Sequence, residues 1–154
     1  MWNLFQQKIS AEDQQRARDY IQQLKGLINT FDQDAAEYNL VFERFESTKY
    51  PTSADTEELK AAADKSSSVA SNVSSAHGRL ANIPPCAKAT FEAWESAFQE
   101  YMTFSTLRSA HSGFLSNHGR TPIYQGGLIR HYRQFSKALS SAQSELKKLI
   151  RRLD

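Results

Sequence analysis

The spacing of apolar residues in the first third of the chain most constrains the fold. Apolar or small residues recur there at steps that alternate between three and four: Ile21, Leu24, Ile28, Phe31, Ala35, Tyr38, Phe42 and Phe45. This spacing places them along one side of an α-helix. Tyr20, Leu27 and Val41 widen the stripe, which favours a helical bundle over a two-stranded coiled coil.

Local signals set the ends of this first helix. Ser10 precedes the periodic run, and Asp13 occupies the position where a capping box carries an acidic residue. Pro51 disfavours helical backbone at the residue before it. The sequence therefore predicts a helix over residues 11–49.

The second segment, predicted over residues 54–81 with Ser53 or Asp55 as its cap, has a similar spacing but small side chains. Its seam consists of Leu59, Ala62, Ser66, Val69, Val73, Ala76 and Leu80. Serine has poor helix propensity because its hydroxyl competes for backbone groups. We therefore expect this helix to depend on close packing against a neighbour with large side chains.

Two further segments complete the pattern. Pro84 and Pro85 form a turn that can start a helix, and a third segment over residues 86–115 carries large aromatic residues. The fourth segment, over residues 128–153, has the seam Leu128, Tyr132, Phe135, Leu139, Ala142, Leu146, Leu149 and Leu153. The glycine-containing stretch 116–127 is predicted to be the loop between them.

These segments predict an all-α, up-down-up-down four-helix bundle with coiled-coil-like packing, formed as a single helical domain over residues 1–154. One alternative is a three-helix bundle in which the serine-rich segment is frayed. Another is an elongated pair of helical hairpins, which would favour a homo-oligomer.

Composition narrows the class of protein. No apolar run approaches the roughly 20 residues that a membrane-spanning helix needs. The first ten residues lack the basic and apolar regions of a signal peptide. The single cysteine, Cys86, excludes an intrachain disulfide and is compatible with a reducing compartment. We therefore expect a cytoplasmic protein.

Charge is divided unevenly along the chain. Residues 1–100 carry a net charge of −5 and residues 101–154 a net charge of +7. On a helix with 100° per residue, seven basic residues of the fourth segment fall within an arc of about 140°. They are Arg130, Arg133, Lys137, Lys147, Lys148, Arg151 and Arg152.

Two interpretations of this basic face compete. It can be a solvated face that pairs with acidic residues of the first helix, namely Asp32, Asp34, Glu37, Glu43 and Glu46. It can instead be a binding face for an anionic partner. Arg120 and Tyr124, in the predicted loop, are additional candidate recognition residues.

The residues that could perform chemistry do not form a recognisable motif. His111, His118 and His131 fall near the predicted loop, where three imidazoles could hold Zn²⁺. Neither an HExxH motif nor an inward-facing set of carboxylates accompanies them. Cys86 lies at a predicted helix N-terminus, where the helix dipole lowers a thiol pKa, and His77 is the nearest base along the chain. We predict no metal, no cofactor and no enzymatic activity.

The combined pattern predicts a non-enzymatic adaptor or scaffold that binds a protein partner through its long first helix and the basic face of its last helix. One alternative is an anionic-surface binder that contacts membrane lipid or nucleic acid through the same basic helix. This alternative is weaker, because the apolar side of that helix is assigned to the core. The other alternative is a bundle that binds a metal or a ligand beside the histidines.

Overall fold

The chain folds into a four-helix bundle. The computed structural model describes the backbone of residues 8–118 and 122–154, and the side chains of residues 8–112 and 127–154. The described elements are α1 (Ala11–Ser47), α2 (Ser53–Gly78), a 3₁₀ turn (Pro85–Ala87), α3 (Lys88–His118) and α4 (Pro122–Leu153), with no strand among them. The predicted all-α four-helix bundle is confirmed. Because α2 and α3 pack together and join the two hairpins, the three-helix and separate-hairpin alternatives are wrong.

Side-chain caps start the first two helices. The Ser10 hydroxyl accepts the backbone N–H of Asp13 at 3.1 Å, as the sequence predicts for α1. For α2 the prediction of Ser53 or Asp55 as the cap is wrong, and Thr52 is the cap. The Thr52 hydroxyl accepts the N–H of Asp55 at 3.2 Å, and the Asp55 carboxylate accepts the N–H of Thr52 at 2.8 Å. This reciprocal pair is a capping box, so Asp55 is its acidic partner.

Contacts at both ends of the bundle define how the helices run. Near the start of α1, Arg18 donates to the backbone carbonyl of Leu153, at the end of α4, at 3.0 Å. Near the end of α1, Arg44 forms an ion pair with Glu58, early in α2, at 2.6 Å. Neighbouring helices are therefore antiparallel, and each end of the bundle gathers residues from all four helices.

Small residues on α2 face large residues on α3. Ser66 and Ala70 are almost completely buried, and so are Trp94 and Phe98 on α3. This complementary packing allows the serine-rich segment to form a helix despite its poor intrinsic propensity. The packing supplies the bulky neighbour that the sequence predicts for α2, and the dependence of α2 on that neighbour stays a prediction.

Large aromatic side chains connect α1 with α3 and α4. The Phe31 ring lies 4.5 Å from the Tyr101 ring and 5.7 Å from the Phe135 ring, in both cases edge to face. Such edge-to-face contacts between buried rings add to the stabilisation from burial itself. Two seam predictions are wrong, because Phe42 is 39% exposed and Tyr132 is 54% exposed.

The connection between α3 and α4 differs from the predicted loop. The α3 helix continues to His118, and α4 begins at Pro122, so the backbone of residues 122–127 is helical. The predicted loop over 116–127 is therefore wrong over most of its length. Pro122 occupies the first position of α4, where its missing N–H costs no helical hydrogen bond.

Candidate functional site

The basic face of α4 is exposed along its length. Its seven residues are Arg130, Arg133, Lys137, Lys147, Lys148, Arg151 and Arg152, and all of them are exposed. Lys148 forms an ion pair with Glu145 of the same helix at 3.4 Å. Arg152 donates to the backbone carbonyl of Cys86 at 3.5 Å. The other five cations form no ion pair with any residue in the described part of the chain.

The acidic residues of α1 do not neutralise this face. Asp34 is buried, with 5% of its surface exposed. Glu37 pairs instead with Lys65 of α2 at 2.9 Å, and its hydrogen bond from Lys65 lowers the pKa of the Glu37 carboxyl. No ion pair joins α1 to the basic face within the described ranges, so the predicted pairing between the two helices is wrong.

The basic face has two charged groups separated by short side chains. Arg130, Arg133 and Lys137 form the first group, and the second group begins ten residues later at Lys147. At 1.5 Å per residue the two groups are about 15 Å apart along the helix. Ser140, Ser141 and Ser144 are exposed between them and fall within the same arc. The α4 surface between the two cationic groups therefore carries only short side chains within this arc.

The other two predicted recognition residues, Arg120 and Tyr124, lie outside the residues whose side chains the structure describes. Their assignment to a recognition surface stays a prediction.

A buried charged cluster, which we call the Arg108 cluster, joins α1, α2 and α3. Its members are Asp34, Ser66, Tyr101, Ser105 and Arg108. The Asp34 carboxylate accepts hydrogen bonds from the Tyr101 hydroxyl at 2.6 Å and from the Ser66 hydroxyl at 2.7 Å. Arg108 Nη2 donates to Ser66 Oγ at 2.7 Å and to Ser105 Oγ at 3.2 Å. The Ser66 hydroxyl therefore connects a buried anion with a buried cation.

Aromatic rings enclose the Arg108 guanidinium. It lies 3.8 Å from the centre of the Tyr38 ring and 4.6 Å from that of Phe104. Cation–π contacts of this kind are stronger when the cation is shielded from water. Arg108 Nε, which is buried, has no hydrogen-bond partner among the described residues. A buried donor without an acceptor lowers the stability of the fold, and an acceptor that reaches this N–H would remove that cost.

A second buried cluster, the His77 cluster, lies toward the opposite end of the bundle. It consists of Tyr20, His77 and Glu95, from α1, α2 and α3. His77 Nε2 lies 2.8 Å from the Tyr20 hydroxyl, and His77 Nδ1 lies 2.9 Å from Glu95 Oε2. The Phe91 ring stacks on the imidazole with 4.5 Å between ring centres. His77 itself is completely buried.

The protonation of this cluster follows from its geometry. A carboxylate can only accept, so His77 Nδ1 carries a proton and donates it to Glu95. Burial lowers the pKa of the His77 imidazole, an effect that the adjacent Glu95 opposes. Burial also raises the pKa of the Tyr20 hydroxyl. The imidazole is therefore neutral near pH 7, and the Tyr20 hydroxyl donates to Nε2.

A cavity of about 390 Å³ lies beside the Arg108 cluster. Its described lining is mainly apolar and aromatic and includes Phe42, Phe45, Phe104, Ile129 and Tyr132. Arg108, His111 and Glu46 are among its polar residues. Burial lowers the pKa of the His111 imidazole, and Glu46 opposes this effect. Volume and lining both fall within the range of small-molecule pockets.

The described histidines and Cys86 are not gathered into a metal-binding group. Among the described residues, no group of three His, Cys, Asp or Glu side chains is placed to hold a metal ion. The side chain of His118 lies outside the described residues. The predicted lowering of the Cys86 pKa is wrong, because burial raises the pKa of this thiol. His77 is engaged with Tyr20 and Glu95.

The site features of the described residues are an exposed basic face on α4, two buried polar clusters and a partly open cavity. Within the described residues, none of the helices has a stretch that is long and apolar enough to cross a lipid bilayer. In comparisons with known proteins, the chain matches no family model, no curated protein and no solved structure.

Proposed function

We propose that this chain is a non-enzymatic adaptor or scaffold protein that binds an acidic segment of a partner protein on the basic face of α4. The exposed side of α1 serves as a second contact surface in this proposal. The exposed Leu40 and the partly exposed Phe42 supply apolar area there, at 63% and 39% exposure.

The observation that carries the proposal is the exposed and unpaired state of five cations on one helix face. Cations that already pair with carboxylates of the same molecule attract an anionic partner only weakly. Of the α1 acidic residues considered as partners for this face, Glu37 bonds to Lys65 and Asp34 lies within the Arg108 cluster. Uncompensated charge of one sign raises the association rate of an oppositely charged partner and selects against other partners.

The arrangement of the cations favours an elongated partner. The basic face extends from Arg130 to Arg152, which corresponds to about 33 Å along a helix. The serines between its two groups leave room for the middle of a partner helix. A helix with acidic residues at both ends and small residues between them complements this surface.

A designed helical peptide with two glutamate groups about 15 Å apart tests the proposal. We expect its fluorescence anisotropy to report saturable binding that weakens at least about tenfold when salt rises from about 50 to 300 mM, because exposed charges are screened. Reversing the charges of Lys148, Arg151 and Arg152 to Glu should abolish binding. Since all three side chains are exposed, helical circular dichroism should not change.

A matched control variant reverses three exposed lysines elsewhere, Lys25, Lys49 and Lys88. It has the same net charge as the α4 variant and should still bind the peptide through α4. Equal loss of binding in both variants would show that only net charge matters, and would overturn the proposal.

The same experiment also tests three other binding partners for this face: a lipid membrane, duplex DNA and a second copy of the chain. Tighter binding to vesicles containing phosphatidylserine, or to duplex DNA, than to the peptide would assign the face to a membrane or to nucleic acid. A dimer in light scattering that dissociates when the α4 charges are reversed would assign it to a second copy of the chain. Each of these results would overturn the acidic-partner proposal.

A further inference from the structure

The cavity beside the Arg108 cluster has the features of a small-molecule site that is separate from the basic face. At about 390 Å³ it lies within the range of about 300–1,000 Å³ that ligand pockets occupy. Residues of all four helices line it, with Leu59 contributed by α2. Clefts between the helices of a bundle commonly hold ligands.

The apolar part of the cavity consists of aromatic and aliphatic side chains. Phe42 on α1 and Ile129 and Tyr132 on α4 are among the lining residues, and they are 39%, 51% and 54% exposed. They are large apolar side chains that the fold does not bury. A ligand between α1 and α4 would remove this apolar surface from water.

The polar part of the cavity is dominated by Arg108. This side chain is more than nine-tenths buried, lines the cavity and has an Nε donor with no partner among the described residues. Its hydrogen bonds to described residues both leave from Nη2. An acceptor supplied by a ligand would satisfy the buried donor, and an anionic acceptor would form the stronger, charge-assisted bond.

The charges around the cavity restrict where an anion can sit. Glu46 is exposed and is also a lining residue, so its carboxylate repels an anion on its side of the cavity. Asp34 is the buried counter-charge of Arg108, but Ser66 and Tyr101 occupy the contacts that its Oδ2 makes. The favourable position for a carboxylate is therefore beside the guanidinium, with an apolar tail toward Ile129 and Tyr132.

We propose that this cavity binds a small apolar carboxylate, with the carboxylate group on Arg108 and the hydrocarbon part against Phe42, Phe104, Ile129 and Tyr132. This class of ligand has one anionic head, no further polar groups and a body small enough for the cavity. Neither the sequence pattern nor the proposed docking of an acidic protein on α4 requires such a site.

Titration calorimetry with decanoate tests this assignment, and decanol is the matched uncharged ligand. We expect one decanoate to bind per chain, with decanol at least about tenfold weaker because it lacks the charge-assisted bond to Arg108. Failure to observe saturable binding, or equal affinity for the two ligands, would overturn the proposal.

Two tryptophan variants locate the site without disturbing the buried cluster. Ile129→Trp fills the rim of the cavity, and we expect it to weaken decanoate binding at least about tenfold. Ala61→Trp adds the same side chain on the exposed side of α2, at a residue that does not line the cavity. It should leave the affinity within about twofold. An equal effect of both substitutions would contradict the assignment.

The role of the guanidinium is tested by Arg108→Gln. Binding of decanoate should fall to the level of decanol, while decanol binding should change little. If this variant does not fold, the contrast between decanoate and decanol in the wild-type chain still decides whether the site recognises an anion. Decanoate binding that survives the substitution unchanged in a folded variant would overturn the role of Arg108.

Discussion

The two buried polar clusters are built from the same three helices, but they differ in whether their charged groups are buried. In the His77 cluster, a neutral imidazole joins a hydroxyl to a carboxylate whose side chain is 25% exposed. In the Arg108 cluster, a cation and an anion are both buried, and the Ser66 hydroxyl forms hydrogen bonds with both of them. In the first cluster the charged group, Glu95, is partly exposed to solvent. In the second cluster both charged groups, Asp34 and Arg108, are buried inside the bundle.

The two clusters also differ in how far their polar atoms are satisfied. Both ring nitrogens of His77 have partners, and Phe91 covers the ring. Arg108 has more donors than its neighbours accept, and its Nε lies without a partner beside a cavity. A cluster whose donors and acceptors all have partners only fixes how the helices pack. A cluster with an unpaired donor beside a cavity can also bind a ligand.

The largest expected effect comes from removing one charge of the Arg108 cluster. Arg108→Leu or Asp34→Leu leaves the opposite charge buried, which typically costs about 3–5 kcal/mol. The double variant leaves no isolated charge, so its loss should be clearly smaller than the sum of the two single losses. Urea unfolding followed by circular dichroism measures all three variants. Additive losses would show that the two charges are not coupled through Ser66.

A smaller effect is expected from His77→Phe. The new ring keeps the stacking with Phe91 but leaves the buried Tyr20 hydroxyl without an acceptor, at a cost of about 1–3 kcal/mol. Adding Tyr20→Phe removes the orphaned hydroxyl and should recover much of the loss, because replacing both partners by apolar groups can be nearly neutral. Glu95 can use water in place of the imidazole. If the double variant is no more stable than His77→Phe alone, the hydroxyl is not the source of the loss.

The pH dependence of stability should distinguish the clusters further. Burial holds the pKa of folded His77 below its ordinary value of 6.5. As pH falls below about 6.5, the unfolded chain therefore binds a proton at His77 that the folded chain does not bind. The stability that neutral His77 contributes is lost over this pH range. In His77→Phe this component is absent. The difference in unfolding free energy between wild type and variant should shrink from about pH 7.5 to about pH 5.5.

Substitutions in the Arg108 cluster give the control for this experiment. The Arg108→Leu/Asp34→Leu double variant keeps His77 and leaves no isolated buried charge, so the difference between it and wild type should stay nearly constant over the same pH values. His111 also has a lowered pKa, but it contributes equally to wild type and to His77→Phe. A gap for His77→Phe that widens toward low pH would contradict the neutral imidazole.

The sequence predicted the bundle because its helix signals are local. Capping residues, prolines and apolar spacing depend on neighbours within a few positions, and they placed all four helices. The hydrogen bonds that join different helices within the clusters connect residues 18 to 67 positions apart in the chain, from His77 with Glu95 to Asp34 with Tyr101. No local rule joins such residues.

A usable signal for Asp34 was nevertheless present. It lies three residues after Phe31 and four before Tyr38, on the apolar stripe that the spacing defined. Charge alone places this carboxylate with the acidic flank of α1, whereas its spacing places it on the buried stripe. Arg108, four residues after Phe104, occupies a comparable position on α3. A charged residue at a seam position predicts a buried partner, although it cannot identify that partner.

The smallest expected effect uses two glycines, one that contacts neither cluster and one that lies beside Glu95. A Cβ at Gly26, in the middle of α1, would meet nothing within 4 Å. Gly26→Ala should therefore stabilise the fold by about 0.5–1 kcal/mol through helix propensity alone. Because it contacts neither cluster, its gain should add to the losses from His77→Phe and Arg108→Leu.

Gly78→Ala is the matched change that touches one cluster. Its methyl group would lie 3.5 Å from Glu95 Oε1, an ordinary contact that also takes water away from the carboxylate. Its gain should be smaller than that of Gly26→Ala, and it should depend on whether His77 is present, because Glu95 without the imidazole relies on water. Thermal unfolding of the single and paired variants measures this coupling. Equal, additive gains at both glycines would mean that the exposed end of the His77 cluster contributes nothing measurable to stability.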